Sequence, residues 1–91
     1  MVGIEFLIHE IRVEAGVTLA SGIVNKGGVP IGTTFSLVRH PSSEVREVHL
    51  SVKKVVAYRR EIGELPSGMS GELTLEGRGA EHLSKHDMLE A

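Results

Sequence analysis

The residues best suited to chemistry in this chain form one basic and aromatic cluster. Tyr58, Arg59 and Arg60 are consecutive, and Lys53 and Lys54 precede them in the same patterned stretch. A tyrosine ring can stack on a nucleotide base, and lysine and arginine side chains can bind backbone phosphates. The cluster therefore predicts a surface that binds RNA or another partner.

A solvated strand face is the alternative interpretation of the same cluster. Glu44, Glu47 and Glu61 are close in sequence and would balance its charge. Strand alternation also predicts that Tyr58 and Arg59 lie on opposite faces, which does not favour a joint platform.

His82 and His86 are the only candidate metal ligands, with Asp87 next in the chain. If residues 81–86 formed a helical turn, this spacing would place both imidazoles on one face, as in many metal sites. The sequence offers no convincing third ligand or supporting carboxylate. We therefore expect no metal ion and no other cofactor.

Motifs of enzyme active sites are missing from the sequence. No Gly-x-Ser-x-Gly frames a serine nucleophile, and no Gly-x-x-x-x-Gly-Lys-[Ser/Thr] loop could hold a nucleotide phosphate. Glu72 and Glu76 alternate along one strand face, where we expect solvated carboxylates rather than a catalytic pair. We expect a protein that is not an enzyme and binds no nucleotide.

The composition restricts the remaining classes. Hydrophobic residues make up 41% of the 91 residues and aromatic residues only 3%, so the core must be aliphatic. The chain has no cysteine, which excludes disulfides and thiolate metal sites. No apolar run approaches the roughly 18 residues of a membrane span, and no secretory signal pattern occurs at the start. We expect one cytoplasmic domain over residues 1–91, with no membrane contact.

The net charge of −2 argues against tight, non-specific binding to nucleic acid, which depends on many Lys and Arg contacts to phosphate. Local basic patches remain compatible with this charge.

Alternating apolar residues predict the strands that must position these side chains. The predicted strands cover residues 3–13, 17–26, 33–39, 45–60, 72–76 and 87–91. Residues 45–61 also fit a helical period, but their many valines favour a strand. Glycine and proline between the runs predict turns at 26–32 and loops at 40–44, 61–71 and 77–86.

Several details follow from the same alternation. Val17, Leu19 and Ile23 continue a period of two, and Gly22 within that run predicts a close approach by another part of the chain. Phe35 and Leu37 are predicted on one face of the third strand. Phase changes predict bulges near residues 9–10 and 53–54. Six short, bent strands favour an all-β fold, a small closed barrel with Greek-key-like connections.

Two segments resemble the second domain of elongation factor Tu and its relatives among the translational GTPases. Residues 21–35 read Ser-Gly-Ile-Val-Asn-Lys-Gly-Gly-Val-Pro-Ile-Gly-Thr-Thr-Phe, which resembles the family's Thr-Gly-Arg-Val-x-x-Gly-x-Ile-x-x-Gly-Asp-x-Val with one inserted residue. Residues 55–89 resemble the stretch that begins with a Phe-Arg pair, here Tyr58 and Arg59. The later matches are residues 67–70, 73–75 and 85–89.

This resemblance implies the family's β-barrel, standing alone without the GTPase domain. The family's barrel supports its GTPase domain and contacts ribosomal RNA, and in elongation factor Tu it helps to hold the aminoacylated end of tRNA. Of the residues in that tRNA pocket, Arg59 keeps the arginine, whereas Gly16, Val56 and Ser70 replace an arginine, a glutamate and an asparagine.

The resemblance implies a binding module for ribosomal RNA, tRNA or a translation-related partner. A protein interaction module, such as an inhibitor or a toxin-neutralising immunity protein, is the alternative, and a barrel cut from a larger factor is a third. A joint positive patch of Lys53, Lys54, Arg59 and Arg60 would favour RNA. A contiguous apolar or acidic surface patch would favour the protein partner. The oligomeric state stays open.

Overall fold

The alternating runs form strands in the computed structural model, which describes residues 3–91. In that part of the chain there are nine strands and one short 3-10 helix. The strands are β1 Glu5–Glu14, β2 Val17–Lys26, β3 Val29–Pro30, β4 Thr34–Arg39, β5 Val45–Ala57, β6 Arg60–Ile62, β7 Glu64–Leu65, β8 Ser70–Arg78 and β9 Met88–Glu90. The 3-10 helix covers Ala80–His82. No helix within residues 3–91 has the length and apolar character to cross a membrane.

Six of these strands close into a ring. Neighbours pair antiparallel in the order β4, β9, β1, β2, β8 and β5, and β5 pairs back with β4. β6 extends the sheet beside the end of β5, and β3 pairs with β7 in a separate ribbon. The predicted all-β fold with a small closed six-stranded barrel is confirmed.

The barrel interior is filled by aliphatic side chains around two phenylalanines. Phe6 and Phe35 are fully buried, and Leu50, Leu73 and Leu89 pack with them from three different strands. This close packing of side chains from every strand of the ring stabilises the fold by removing apolar surface from water.

Both predicted bulges occur. The β1–β2 register shifts between Ile8 and Glu10, and the β5–β8 register shifts between Val52 and Lys54. Each extra residue bends its strand and increases the local twist, which helps a small sheet to close on itself.

A further register shift, which the sequence did not predict, lies at Phe35 and Leu37 of β4, where β5 contributes one residue more than β4. Phe35 and Val38 are fully buried, whereas Leu37 is only partly buried. The prediction that Phe35 and Leu37 share a face is wrong, because the alternation of burial along β4 changes phase at this register shift.

The period of two in β2 is confirmed, but its buried phase consists of small residues. Thr18, Ala20 and Val24 are buried, while Val17, Leu19 and Ile23 are only partly buried on the outer face. The pairing of β2 with β1 and β8 decides which phase faces inward.

Gly22 lies on the crowded inner side of β2. A side-chain carbon built on Gly22 would overlap the carbonyl oxygen of Leu7. The predicted close approach at Gly22 is therefore confirmed, and the approaching group is the backbone of β1.

The fourth predicted strand ends earlier than the pattern suggested. β5 stops at Ala57, and the chain turns back into β6 at Arg60. The predicted loop at 61–71 is wrong in part, because it contains the end of β6, all of β7 and the first residues of β8.

Candidate functional site

A tight hairpin turn presents Tyr58 and Arg59 at the end of β5. Ala57 pairs with Arg60, so Tyr58 and Arg59 are the two loop residues. Both have left-handed backbones, with φ of 54° and 64°. Positive φ at both loop residues is the requirement of the type I′ hairpin turn. The prediction that these residues lie on opposite faces of a strand is wrong, because both belong to the turn.

A groove of about 1000 Å³ lies beside this turn. Its lining comes from four parts of the chain: His9 and Glu10 at the β1 bulge, Ser21 and Gly22 of β2, residues 56–59, and residues 66–72. The β1 bulge and the close packing at Gly22 thus border the same groove, although they are distant in sequence from Tyr58.

Backbone hydrogen bonds fix the floor of the groove. The amide of Gly68 donates to the carbonyl of Val24 at 2.8 Å, and the amide of Val24 donates to the carbonyl of Met69 at 3.0 Å. The amide of Met69 closes a turn onto the carbonyl of Pro66 at 3.1 Å. Residues 66–71 are therefore held against β2, and apart from Pro66 and Met69 they are all glycine or serine.

Some charged side chains around the groove have an ion-pair partner and others do not. Arg12 donates to Glu72 at 2.9 Å and to Glu14 at 2.6 Å, so the charge of Glu72 is partly balanced. The hydrogen bond to Glu72, followed by the negative charge of Glu14, raises the pKa of Arg12 above its ordinary value. Within residues 3–91, Arg59 and Glu10 have no oppositely charged side chain within 4.0 Å.

The predicted basic cluster is only partly gathered at this groove. Tyr58 and Arg59 line it, whereas Lys53, Lys54 and Arg60 do not. The two lysines are exposed at the β5 bulge, and Arg60 is exposed at the start of β6. Lys54 alternates with the groove-lining Val56 along β5, so it lies on the same outer face of the barrel.

Three of the four positions that the resemblance singled out lie together. Val56, Arg59 and Ser70 all line the groove. Gly16 is instead in the two-residue turn between β1 and β2, with φ of 78°, and is not part of the lining.

Three of the remaining lining residues had no site role predicted from the sequence. His9, Glu10 and Met69 reach the groove only because barrel closure brings β1 and the segment before β8 next to the β5 turn. For His9 and Glu10, the predicted bulge was the sequence signal that pointed to this place, since bulges often lie next to functional sites.

The two histidines at the other end of the barrel do not share a helical turn. The 3-10 helix ends at His82, and Leu83 is already extended, with φ of −82° and ψ of 141°. His86 follows with φ of 75°. The condition for a two-histidine face is therefore not met, because the chain leaves the helix between them.

His82 lines a second cavity of about 720 Å³, together with His49 and Arg78. The nearest carboxylate oxygen to its Nε2 is that of Glu81, at 3.6 Å. Among the described residues, no group of three or more His, Asp or Glu side chains has the arrangement of a metal site.

Comparisons with solved structures agree with the fold. The chain is similar to translation elongation factor SelB from Methanococcus maripaludis, both in its apo form and in complex with the GTP analogue GppNHp. In each case the TM-score is 0.75 and the sequence identity is 16%, over 98% of this chain. The chain spans 19% of the length of that factor. No protein-family model matches the chain, and no curated protein sequence matches it.

A likeness at this identity concerns the fold. The described barrel has the architecture of a β domain found in a translational GTPase.

Proposed function

We propose that this chain is a non-catalytic binding module that contacts RNA through the groove beside Tyr58 and Arg59. The RNA is ribosomal or transfer RNA, and the site of action is the cytoplasm. The observation that carries the proposal is the exposed, left-handed turn in which Tyr58 lies beside Arg59, an arginine with no ion-pair partner within residues 3–91.

The backbone of this turn is a costly place for these residues. A left-handed conformation costs a residue with a side chain roughly 1–2 kcal/mol, and type I′ turns therefore favour Asn-Gly. Tyr58 and Arg59 nevertheless occupy the turn, and Tyr58 is 81% exposed. Neither exposure nor turn geometry explains a tyrosine here, and strained, exposed residues of this kind are concentrated at binding sites.

The chemistry of the turn suits single-stranded RNA. The Tyr58 ring can stack on one base, while Arg59 can form a forked pair with a phosphate. Lys54 lies on the same outer face as Val56 and offers a second phosphate contact along β5. Lys53 and Arg60 add positive charge outside the groove lining.

Few phosphate contacts mean modest affinity with a small salt dependence. Two to four contacts to a single strand correspond to a slope of about −1.4 to −2.8 in a plot of log K against log salt concentration. Similarity to a translation elongation factor supports RNA of the translation machinery as the ligand class.

Fluorescence anisotropy with labelled total tRNA, with ribosomal RNA fragments and with a single-stranded oligonucleotide tests this proposal at several salt concentrations. Arg59→Ala should weaken binding about tenfold. It should also make the slope of log K against log salt concentration less steep by the share of about one phosphate contact. Arg46→Ala is the matched control, because Arg46 is an exposed arginine paired with Glu44 outside the groove lining. Equal effects of the two variants, or no salt-sensitive binding, would contradict the proposal.

A protein interaction module is the second candidate function, and the groove carries one observation in its favour. The groove lining includes the carboxylates of Glu10 and Glu72 as well as apolar surface from Tyr58 and Met69. Such a mixed surface suits a basic side chain of a protein partner. A salt-resistant protein complex without bound RNA would support this function, which includes inhibitors and immunity proteins.

A further inference from the structure

One edge of the barrel is left without a strand partner. β9 lies between β4 and β1, and along β1 its pairing covers Glu5, Phe6 and Leu7. Beyond them, the amide of Ile8 donates to the carbonyl of Asp87, and the amide of His86 donates to the carbonyl of Ile8. From residue 10 to residue 14, β1 pairs on one side with β2 and has no strand on its other side among residues 3–91.

The turn at the end of β1 determines which backbone groups face that open edge. Ala15 and Gly16 form a two-residue turn with φ of 52° and 78°, and Glu14 pairs with Val17 across it. In such a hairpin the residues that flank the turn bond to each other, so alternate residues direct their N–H and C=O groups outward. Val13 therefore presents its amide and carbonyl to the open edge, and its side chain is 69% exposed.

We propose that this open edge of β1 pairs antiparallel with the same edge of a second copy of the chain, with the two-fold axis at Val13. Each Val13 amide donates to the carbonyl of the other Val13. The two exposed valine side chains then pack on each other, which removes apolar surface from water.

Charge selects this register over its neighbour. Centred on Val13, pairing places Arg12 of each copy opposite Glu14 of the other, which is a favourable cross-strand pair. Centred on Arg12, pairing would place two arginines opposite each other and Glu10 opposite Glu14, which is unfavourable at both positions.

Backbone crowding excludes the register on the other side. Centred on Ile11, pairing would bring Glu14 of the second copy opposite Ile8. The outward backbone groups of Ile8 already bond to His86 and Asp87 of its own chain. Pairing centred on Val13 ends before that position.

The same charges explain why a second copy fits better than an unrelated extended peptide. The edge alternates Glu10, Arg12 and Glu14 on one face, and charged edges of this kind disfavour pairing with strands of other sequences. A partner strand that carries an arginine and a glutamate separated by one residue, in the opposite direction, places opposite charges across from Glu14 and Arg12, which within one chain already pair with each other at 2.6 Å. This chain supplies that pattern itself.

Cysteine cross-linking of the 91-residue chain tests the register, because the chain has no native cysteine. In the proposed pairing the two residues at position 13 lie opposite each other, within the roughly 5.5–6 Å Cα separation of most disulfides. Val13→Cys should form a disulfide-linked dimer at least about tenfold faster than Ile31→Cys or Val45→Cys, measured under mild oxidation. Ile31 and Val45 are the matched controls, since they are 50% and 42% exposed.

Sedimentation velocity over a range of concentrations measures the association without cross-linking. Val13→Pro removes the outward amide. An edge strand tolerates proline at such a position, so the variant should fold but weaken dimerisation at least about tenfold. Val13→Lys should do the same by placing two like charges at the axis, and it keeps the proposal testable if the proline variant unfolds. Circular dichroism verifies the fold of each variant.

A dimer that both Val13 variants weaken, with selective cross-linking at position 13, supports the proposal. A protein that stays monomeric to millimolar concentration overturns it. Equal cross-linking rates at positions 13, 31 and 45 also overturn it, as does a dimer that neither substitution affects.

Discussion

The buried carboxylate of Asp87 accepts a hydrogen bond from Nδ1 of His40 at 2.8 Å, across 47 residues of sequence. Asp87 is fully buried, and its second oxygen accepts from the amide and the hydroxyl of Ser84, at 2.8 and 3.1 Å. The pair joins the loop between β4 and β5 to the segment that leads into β9. His40 and Asp87 thus have a structural contact that neither residue suggested by its place in the sequence.

Removing this carboxylate should destabilise the fold. Asp87→Ala leaves the His40 ring nitrogen and the Ser84 amide without their partner, and we expect the free energy of unfolding to fall by about 2–4 kcal/mol. Asp87→Asn keeps one acceptor oxygen and should lose less. Urea denaturation at neutral pH measures both, and equal losses for the two variants would contradict the role assigned to the carboxylate oxygens.

A side chain at Gly22 should not be tolerated. Gly22→Ala forces β2 away from the carbonyl of Leu7, so we expect a loss of about 2–4 kcal/mol in the free energy of unfolding. Gly63→Ala is the control, because open space surrounds Gly63. It should change stability by less than about 1 kcal/mol. Thermal denaturation of the two variants side by side measures the difference.

The turn at Tyr58 and Arg59 should be more stable with residues that prefer its backbone. The double substitution Tyr58→Asn with Arg59→Gly should raise the free energy of unfolding by about 1–2 kcal/mol, since both new residues accept positive φ. The same variant should lose RNA binding, because it lacks both the ring and the guanidinium group. Lower stability in this variant would show that the two native side chains support the fold rather than a ligand.

The inner and outer faces of β2 should differ in their tolerance of truncation. Val24 is 1% exposed, so Val24→Ala should cost about 2 kcal/mol through lost burial and the cavity left behind. Leu19 is larger but only partly buried, and Leu19→Ala should cost about 1 kcal/mol. Denaturant titration measures the loss of stability in both variants. A larger loss for Leu19→Ala than for Val24→Ala would contradict this prediction.

Local sequence determined the strands of this protein and most of their irregularities. Alternating apolar residues mark β1, β2, β5 and β8, and the phase changes in β1 and β5 mark the bulges near His9 and Lys53. Gly22 also marked a close backbone contact correctly. These features depend on neighbouring residues in one strand, so a period of two and its interruptions suffice to predict them.

Only the tertiary structure decided which residues meet. Alternation defines two faces of β2 but not which one is buried, and pairing with β1 and β8 made the small residues the inner ones. The pairing of Ala57 with Arg60 placed Tyr58 and Arg59 in a turn instead of a strand. Closure of the barrel then brought His9 and Met69 to that turn and His40 to Asp87. These contacts join residues far apart in sequence, and their geometry depends on strand register and barrel closure, which no local pattern encodes.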